Sequence, residues 1–408
     1  MATSNIQTAR IDQAASQPQS ADDAARLTAA LRELAPKIAA RSKEIEDGRR
    51  VPADIAVSLR KLGLFRTLLP RSLGGLELTA PDAVQMLEIL AAADSSVGWV
   101  AMIGVTSQIF GTRAPLAMLQ RIYREDPDLL TVGVGVPAGQ AERIEGGYRV
   151  SGRWPFASGC QNAQWIAGHC IVCENGQPVM SEHGPQTKFV LLPIERWRIE
   201  ETWQASGLTG TGSHHVVLDN VEVPAAETFE LFGGKSTVPG PLESDVMSFN
   251  ASFHAAVAVG IATGAMADLV AMANSGRRQL FAATELKDSP VFQHEVGRLD
   301  AELRAARALV QTQVEDQWSR AVAGALEGKA DLAEGLQGSA WVHTACTNVV
   351  SGCYTLGGSS SIMNASPLQR RLRDIHAARQ HFFAQERFYG TAGKNVLGFP
   401  PVHPISGQ

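Results

Sequence analysis

The hydrophobic positions of the chain repeat with a helical period near the N-terminus and again over the C-terminal half. Leu27, Leu31, Leu34 and Ile38 recur at steps of three and four residues, which places their side chains on one helix face. From Asp245 onward the same period returns in three long segments, VMSFNASFHAAVAVGIATGAMADLVAMA, VFQHEVGRLDAELRAARALVQTQVEDQW and DLAEGLQGSAWVHTACTNVVSGCYTL. Apolar stripes of this length usually pack as a helical bundle. The pattern therefore predicts a helical domain at each end.

Between the two helical blocks the pattern changes to a period of two. The segments that show it are TVGVGVP, GGYRVSGRWPFASG, WIAGHCIVC, KFVLLPI and HHVVLDNVEVP, separated by Gly, Asn, Asp and Pro turns. This predicts a β domain of roughly 100 residues. In the first helical block we expect two loops, LLPRSLGG and DSSVGWVAMIG.

These patterns divide the chain into three domains and two tails. The first 25 residues are rich in Ala, Ser, Gln and Asp without an apolar period, so we expect a disordered N-terminal tail. The fold class is mainly α with a central β domain. The predicted ranges are a tail at 1–25, a helical domain at 26–125, a middle β domain at 126–235, a helical bundle at 236–395 and a tail at 396–408.

Composition narrows the classes of partner. The 408 residues include 36 Lys and Arg against 41 Asp and Glu, a net charge of −5. The overall charge therefore gives no electrostatic reason to bind nucleic acid or an anionic membrane. No apolar stretch reaches the roughly 18 to 20 uninterrupted residues that span a bilayer. The N-terminus has no apolar signal core. We therefore expect a cytoplasmic protein whose partner is a small molecule or another protein.

The five cysteines give no sign of a disulfide framework or a metal site. Cys170 and Cys173 have a two-residue metal spacing, but they lie in an apolar strand-like run without a second pair. We interpret all five as buried apolar side chains and expect no metal. No Walker loop or GxGxxG fingerprint follows a strand, so a P-loop or Rossmann site is not supported.

Four stretches, in order along the chain, resemble motifs of the acyl-CoA dehydrogenase fold. They are GYRVSGRWPFASGCQNAQWIAG, WQASGLTGTGSHHVVLDNVEVP, RRQLF with FQHEVGRLDAELRAAR, and LGGSSSIMNASPLQRRLRDIHAARQH. The resemblance covers nearly everything from residue 27 to 393. It implies an N-terminal helical domain, a β-barrel-like middle domain and a C-terminal four-helix bundle.

One departure from that family concerns the catalytic base. Acyl-CoA dehydrogenases remove a proton with a carboxylate just past the final helix or near the start of the first bundle helix. The first place falls here on His381, Phe382 and Phe383, and no carboxylate occurs before Glu386. The second place holds only uncharged candidates, Ser248, Asn250, Ser252 and His254. Dehydrogenation of an acyl thioester therefore has no obvious proton acceptor.

The final helix, RLRDIHAARQH, is instead similar to the flavin-dependent monooxygenases built on this fold, the oxygenase components of two-component systems. The resemblance implies reduced FAD or FMN as cosubstrate, O2, and a separate NAD(P)H-dependent flavin reductase. His381 matches the histidine that stabilises the flavin C4a-hydroperoxide, and Ser158 matches the hydroxyl near the flavin N5. An imidazole suits this task because its unperturbed pKa of about 6.5 lets it donate or accept near neutral pH. His376 lies on another helix face, so we assign the role to His381.

Further residues are assigned to the flavin. Arg278 and Phe281 resemble a motif that reaches the flavin phosphate of a neighbouring subunit, which implies a homo-oligomer, by resemblance a tetramer. Phe156 precedes Ser158 by two residues and is expected on the same strand face. Tyr354 replaces a glutamine of the family, which leaves FAD and FMN both open. The remaining candidates are small or hydroxyl-bearing loop residues, namely Gly207, Thr209, Thr211, Ser213, Gly357 and Gly358.

The substrate pocket is expected along DSSVGWVAMIGVTSQ, which resembles the helix that lines the aromatic site of these monooxygenases. Trp99, Thr106 and Phe253 are the candidates, since two of them offer flat rings for stacking. No cluster of Lys or Arg marks a CoA phosphate site, which favours a small aromatic substrate of indole or phenol type. An N-hydroxylase of an amine or amino sugar, and an acyl-CoA dehydrogenase with a displaced base, remain alternatives.

Overall fold

A computed structural model gives the fold of the chain and describes residues 5–182, 184–231, 236–278, 282–326 and 328–405. Helices and strands in these residues form an N-terminal helical part, a sheet and a C-terminal set of helices, the fold class that the sequence predicted. The domain boundaries themselves stay predictions.

The N-terminal part is built from helices that pack around buried leucines and alanines. Helices α1 to α6 are Asn5–Ala39, Ser42–Gly48, Ala53–Leu62, Ala80–Ala93, Ser95–Gly111 and Leu116–Glu125. Helix α1 begins at Asn5, and Ala24 is already buried in the core, so packing starts before the boundary predicted at residue 26.

Helix α5 corrects one sequence prediction, because DSSVGWVAMIG is helical rather than a loop. The side chain of Asp94 caps the helix by accepting from the backbone N–H groups of Ser96 and Val97, at 3.0 and 3.1 Å. Gly98 lies within this helix, and a Cβ there would lie 2.5 Å from the Cα of Ala91. The glycine therefore lets α5 pack closely on α4, and it does not end the helix.

The middle of the chain forms a sheet of eight strands. Strands β1 to β10 are Thr131–Ile144, Gly147–Ala157, Trp165–Glu174, Gln177–Pro178, Met180–Ser181, Gly184–Pro185, Thr187–Pro193, Arg198–Glu200, His214–Pro224 and Thr228–Phe229. The order is β10-β7-β3-β1-β2-β9-β8, with β4 paired to β3, while β5 and β6 form a separate pair. Strands β1 and β3 run parallel and the other pairs are antiparallel.

A buried tryptophan pair organises the inner face of the sheet. The rings of Trp154 and Trp197 meet edge to face with centroids 5.1 Å apart, and the indole N–H of Trp154 donates to the carbonyl of His169 at 2.6 Å. A Cβ on Gly139 would lie 2.1 Å from the ring of Trp154, so a glycine is required opposite this indole.

The C-terminal part contains the four helices of the predicted bundle and one more. Helices α7 to α11 are Val246–Ala273, Pro290–Ala323, Lys329–Leu356, Pro367–Ala378 and Phe388–Val396. Helix α7 is central and packs against α4, α5, α8, α9 and α10. It is long and apolar enough to cross a membrane, with a mean hydropathy of 1.8, contrary to the sequence prediction; 67% of that stretch is buried inside the protein. Such all-round apolarity suits the core helix of a globular fold.

Arg371 joins helix α10 to the N-terminal part. Its guanidinium donates to the carbonyls of Ala91, Ala92 and Ala93 at 3.0, 2.5 and 3.1 Å, and it pairs with Asp268 at 3.3 Å. These carbonyls belong to the last turn of α4, where backbone acceptors have no partner within the helix. The contact ties the first half of α10 to the end of α4 and the start of α5, beside the candidate site.

Candidate active site

Four aromatic rings from three parts of the chain meet between α5, α7 and the turn after α10. The imidazoles of His254 and His381 are stacked, with centroids 4.1 Å apart and planes 15° from parallel. The indole of Trp99 meets both rings edge to face, at 5.1 and 5.5 Å, and Phe383 lies 5.0 Å from His254. The sequence prediction named Trp99 and His381 separately, and the structure brings them into one ring cluster.

His381 does not lie on the final helix, contrary to the sequence prediction. Helix α10 ends at Ala378, and His381 has an extended backbone with φ −67° and ψ 153°. Its Nδ1 accepts from the backbone N–H of Phe383 at 3.5 Å, so the proton of a neutral ring lies on Nε2. Turning out of the helix directs the imidazole toward Trp99, whereas His376 on α10 stays exposed.

The electrostatics of the ring cluster favour neutral imidazoles. Loss of hydration, followed by the effect of nearby His343, lowers the pKa of His381 to about 4. Burial and the neighbouring imidazoles of His381 and His343 place the pKa of His254 well below its usual value. At neutral pH, His381 is therefore an uncharged donor through Nε2–H.

Two further histidines, His254 and His343, had no predicted role and lie beside His381. His254 is 2% exposed on α7, and its Nδ1 has no hydrogen-bond partner among the described residues. His343 on α9 is fully buried and donates from Nδ1 to the carbonyl of Ser339 at 2.8 Å; burial lowers its pKa to about 4. His254 stands four residues after Asn250, so helical spacing could have placed both on the pocket side of α7.

A chain of hydroxyl groups connects the ring cluster to the β domain. The indole Nε1–H of Trp99 donates to Oγ of Ser158 at 3.3 Å, and this hydroxyl lies 2.7 Å from Oγ of Ser213. Ser213 in turn lies 2.6 Å from Oγ1 of Thr211, which donates to the carbonyl of Leu208 at 2.8 Å. Three predicted flavin residues, Ser158, Thr211 and Ser213, thus form one hydroxyl chain. Thr209 is half-buried in the same turn.

Phe156 does not share a strand face with Ser158, contrary to the sequence prediction. Strand β2 ends at Ala157, and its register against β9 shifts between Trp154 and Ala157. The bulge includes a positive φ of 62° at Phe156, an unusual conformation for an aromatic residue. Phe156 is therefore 63% exposed beside the ring of Trp203, at 6.1 Å, while Ser158 is buried.

Gly207 allows a close approach, and the group that approaches is helix α10. A Cβ on Gly207 would lie 2.0 Å from the carbonyl oxygen of Arg373. The neighbouring backbone N–H of Leu208 donates to Asp374 at 2.7 Å. Burial, and then the nearby Asp94, raise the pKa of Asp374 to about 6. The loop that carries the hydroxyl chain is thus held against α10, and contact of Gly207 with a flavin stays a prediction.

The predicted substrate residues are all buried, but they do not form one group. Oγ1 of Thr106 donates to Oδ1 of Asn250 at 3.3 Å, and both side chains are buried between α5 and α7. Phe253 is fully buried in the hydrophobic core, and no ring contact among the described residues joins it to the ring cluster. Trp99 and Thr106 are seven residues apart on α5, two helical turns, and so face the same side.

Arg278, one of the two predicted phosphate residues, lies remote from the ring cluster. Arg278 is exposed just beyond the end of α7, and Phe281 lies outside the described residues. The neighbouring Arg277 contacts Oγ of Ser360 and so joins this segment to the turn of Gly357 and Gly358. At about 1.5 Å per residue, the end of α7 is roughly 28 Å from His254 along the helix axis. One subunit does not bring Arg278 to the ring cluster.

Carboxylates near the ring cluster are engaged elsewhere. Glu386 is exposed and pairs with Arg379 at 2.7 Å. Asp245 caps α7 by accepting from the N–H of Ser248 at 3.1 Å. Among the contacts of residues that the structure describes, none places an Asp or Glu against His254 or His381.

Metal-binding side chains are not grouped in the described part of the chain. It contains no set of three or more His, Cys, Asp or Glu residues arranged to hold a metal ion. All five cysteines are free and buried, as expected for apolar positions, and burial raises the pKa of Cys170 to about 12. His214 accepts through Nδ1 from the backbone N–H of Trp203 at 3.1 Å.

The arrangement fits a flavin on two independent observations. The hydroxyl chain offers uncharged hydrogen-bonding groups at the entrance to the ring cluster. Beside the same loop, Phe156 exposes its aromatic ring, which gives a flat ligand a surface to stack on. Its positive φ is a strained backbone conformation of the kind found at functional sites. Ser158, Thr211 and Ser213 would hold the ring system there, and Phe156 would cover it.

Comparison with known proteins finds matching acyl-CoA dehydrogenase family models and similar flavin-dependent enzymes. The family models for acyl-CoA dehydrogenases match residues 21–117 with the N-terminal domain and residues 252–386 with the C-terminal domain. The chain is 34% identical to indole-3-acetate monooxygenase of Pseudomonas putida over 89% of its length and 91% of that protein. It is 30% identical to the oxygenase component of the FADH(2)-dependent resorcinol hydroxylase of Rhizobium sp., covering 95% of this chain and 98% of that one.

A solved structure supports the same assignment. The crystal structure of 3-HSA hydroxylase from Rhodococcus sp. RHA1 superimposes with a TM-score of 0.85 at 26% identity, covering 93% of this chain and 99% of that chain.

Proposed function

Because this chain belongs to the flavin-dependent monooxygenases built on the acyl-CoA dehydrogenase fold, we propose that it hydroxylates a small aromatic compound of indole or phenol type. The observation that carries this proposal is the ring cluster, where neutral His381 meets Trp99 edge to face and no carboxylate of the described residues makes contact. A carboxylate base is what acyl-CoA dehydrogenation would require at this place.

The overall reaction consumes O2 and two electrons from reduced flavin. One oxygen atom is inserted into a C–H bond of the aromatic ring, and the other leaves as water with two protons. Reduced flavin, held by Ser158, Thr211 and Ser213, would supply the two electrons that activate O2. A separate NAD(P)H-dependent reductase would provide it.

In this proposal the residues of the chain bind, orient and exclude water. His381 would donate a hydrogen bond from Nε2–H to the activated oxygen next to it. Nε2 is the donor because Nδ1 accepts from the backbone N–H of Phe383. Ser158, held by Trp99 and Ser213, meets the flavin ring with a group that donates or accepts without charge. Trp99 shields the hydroxyl chain from solvent.

The substrate is expected to lie against α5 and α7, next to Trp99. Thr106 and Asn250 supply a polar pair for a ring hydroxyl or an indole N–H, while the indole of Trp99 supplies a flat surface. Indole-3-acetate and resorcinol are named for relatives of this chain, and both contain an aromatic ring. These ring types define the proposed substrate class.

We also propose the finer features implied by resemblance. Arg278 and Phe281 would reach the flavin phosphate of a neighbouring subunit in a homotetramer. The remote position of Arg278 beyond the end of α7 supports this proposal. FAD and FMN would both be accepted, and the enzyme would work in the cytoplasm.

Supplying reduced flavin under air to the purified chain with indole, indole-3-acetate, phenol or resorcinol tests the proposal. We expect a hydroxylated product from at least one ring, nearly colourless protein as purified, and tighter binding of reduced than of oxidised flavin. Tightly bound yellow FAD that is bleached by an acyl-CoA would contradict it.

A further inference from the structure

The strongest unassigned feature in the molecule is the imidazole of His254. It is parallel to the ring of His381 at 4.1 Å, and Trp99 meets the two rings edge to face from α5. His254 is 2% exposed on the buried helix α7, so its own ring is fixed by the core around it.

The ring of His381 needs such support. It stands in a turn outside α10, and its one described hydrogen bond, from the N–H of Phe383, is 3.5 Å long. A bond of this length is weak and does not by itself hold the plane of the ring. The stacked contact with His254 is the closest of the ring contacts that His381 makes among the described residues.

We propose that His254 is a positioning residue, whose stacked ring sets the plane of the His381 imidazole and so the direction of its Nε2–H. This inference rests on the proposed role of His381. His254 acts through the flat face of its ring, because its Nδ1 is buried without a partner in the described part of the chain.

The ring nitrogens of His254 make no described hydrogen bond, which gives a matched pair of variants. His254→Phe keeps a flat ring of similar size, and His254→Leu fills the same space without one. Both variants remove the ring nitrogens, and only His254→Phe keeps a flat ring that can stack on His381. His376→Ala is the control, since His376 is an exposed histidine outside the ring cluster.

The first measurement needs neither flavin nor substrate. Nitrogen NMR of histidine-labelled protein, with the His381 signals assigned from His381→Ala, reports which ring nitrogen carries the proton. We expect a single Nε2–H tautomer in the wild type, His254→Phe and His376→Ala, and a mixture of tautomers in His254→Leu.

The second measurement is the ratio of released hydrogen peroxide to hydroxylated product. We expect His254→Leu to raise it roughly 10- to 100-fold, since small displacements of a reacting group have effects of this size. His254→Phe and His376→Ala should stay near the wild type. If His254→Leu does not fold, His254→Ala takes its place in both measurements.

A folded His254→Leu protein with one tautomer and the wild-type ratio would overturn the inference, and so would an equal rise in His254→Phe. Failure of the proposed function looks different. The wild type would then hydroxylate none of the aromatic compounds, while the tautomer comparison would still report on the stack.

Discussion

At the scale of single residues, the central feature is an imidazole kept neutral by its surroundings. Loss of hydration lowers the pKa of His381 to about 4, and its Nδ1 is occupied by a backbone N–H. At pH 7 the ring is therefore a directed donor from Nε2, where an unshifted histidine would be partly protonated.

Replacing the His381 imidazole should uncouple oxygen consumption from hydroxylation. We expect His381→Ala to fold and to bind reduced flavin, but to release hydrogen peroxide in place of product. Loss of one directed donor costs roughly 2 to 4 kcal/mol, or about 30- to 1000-fold in the ratio of product to peroxide. The ratio is measured beside the melting temperature, and a folded variant with an unchanged ratio would remove His381 from the mechanism.

The buried histidine His343 predicts how stability depends on pH. Its pKa is about 4 in the folded chain, below the ordinary value of 6.5, so the unfolded chain takes up a proton first as the pH falls. Stability from this group is complete above pH 6.5 and is lost toward pH 4. Between pH 7 and pH 5 the loss is roughly 2 kcal/mol.

Denaturant unfolding of the wild type and of His343→Leu at pH 7 and pH 5 measures this contribution. The variant should lose less stability over the interval by about that amount. An identical pH dependence in both proteins would contradict the shifted pKa.

At the scale of elements, a close contact between a loop and a helix holds the hydroxyl chain in place. Gly207 approaches the carbonyl of Arg373 so closely that an added Cβ would lie 2.0 Å from its oxygen. The backbone of α10 at Arg373 cannot easily move aside, because Arg371 ties the helix to α4.

Gly207→Ala should therefore lower the free energy of unfolding by roughly 2 kcal/mol or more, as overpacked cores do. It should also weaken binding of reduced flavin, since the loop carries Thr211 and Ser213. Gly240→Ala is the control, because a Cβ there meets nothing within 4 Å and its φ is −167°. Equal stability of the two variants, by denaturant unfolding, would show that the loop is not held in this way.

The elements also show how far the sequence could lead. Periodicity found the long helices and main strands because each buries a regular face. It missed helix α5, which contains Gly98. This glycine allows close packing on α4, and a local pattern does not reveal such a contact between two segments. The bulge at Phe156 and the turn that takes His381 out of α10 are local departures from ideal geometry, fixed by tertiary contacts. His254 and His343 gave no motif, since only the fold brings them to His381.

At the scale of the whole molecule, two groups of predicted flavin residues lie far apart along α7. Ser158, Thr211 and Ser213 lie near His254, while Arg278 lies beyond Ala273, roughly 28 Å along the axis at about 1.5 Å per residue. A site composed from two subunits accounts for both groups, because the neighbour's Arg278 segment would complete it.

Co-expression of Arg278→Ala with His381→Ala tests the shared site. Each variant alone should be poorly active, but random pairing should give hybrids with one intact site, restoring about a quarter of the wild-type hydroxylation. Activity no greater than the mean of the two variants would mean that Arg278 and His381 of one subunit serve the same site, or that Arg278 takes no part in the site.

The most direct test of the central claim follows the oxygen atoms. The purified chain is mixed with reduced FAD and an indole or phenol under O2 labelled with a heavy oxygen isotope. The mass of the product is then measured by mass spectrometry. We predict one heavy oxygen atom in the ring of each product molecule, with the other recovered in water. A product without heavy oxygen, or an aromatic compound left unchanged while an acyl-CoA is desaturated, would contradict the assignment as a monooxygenase.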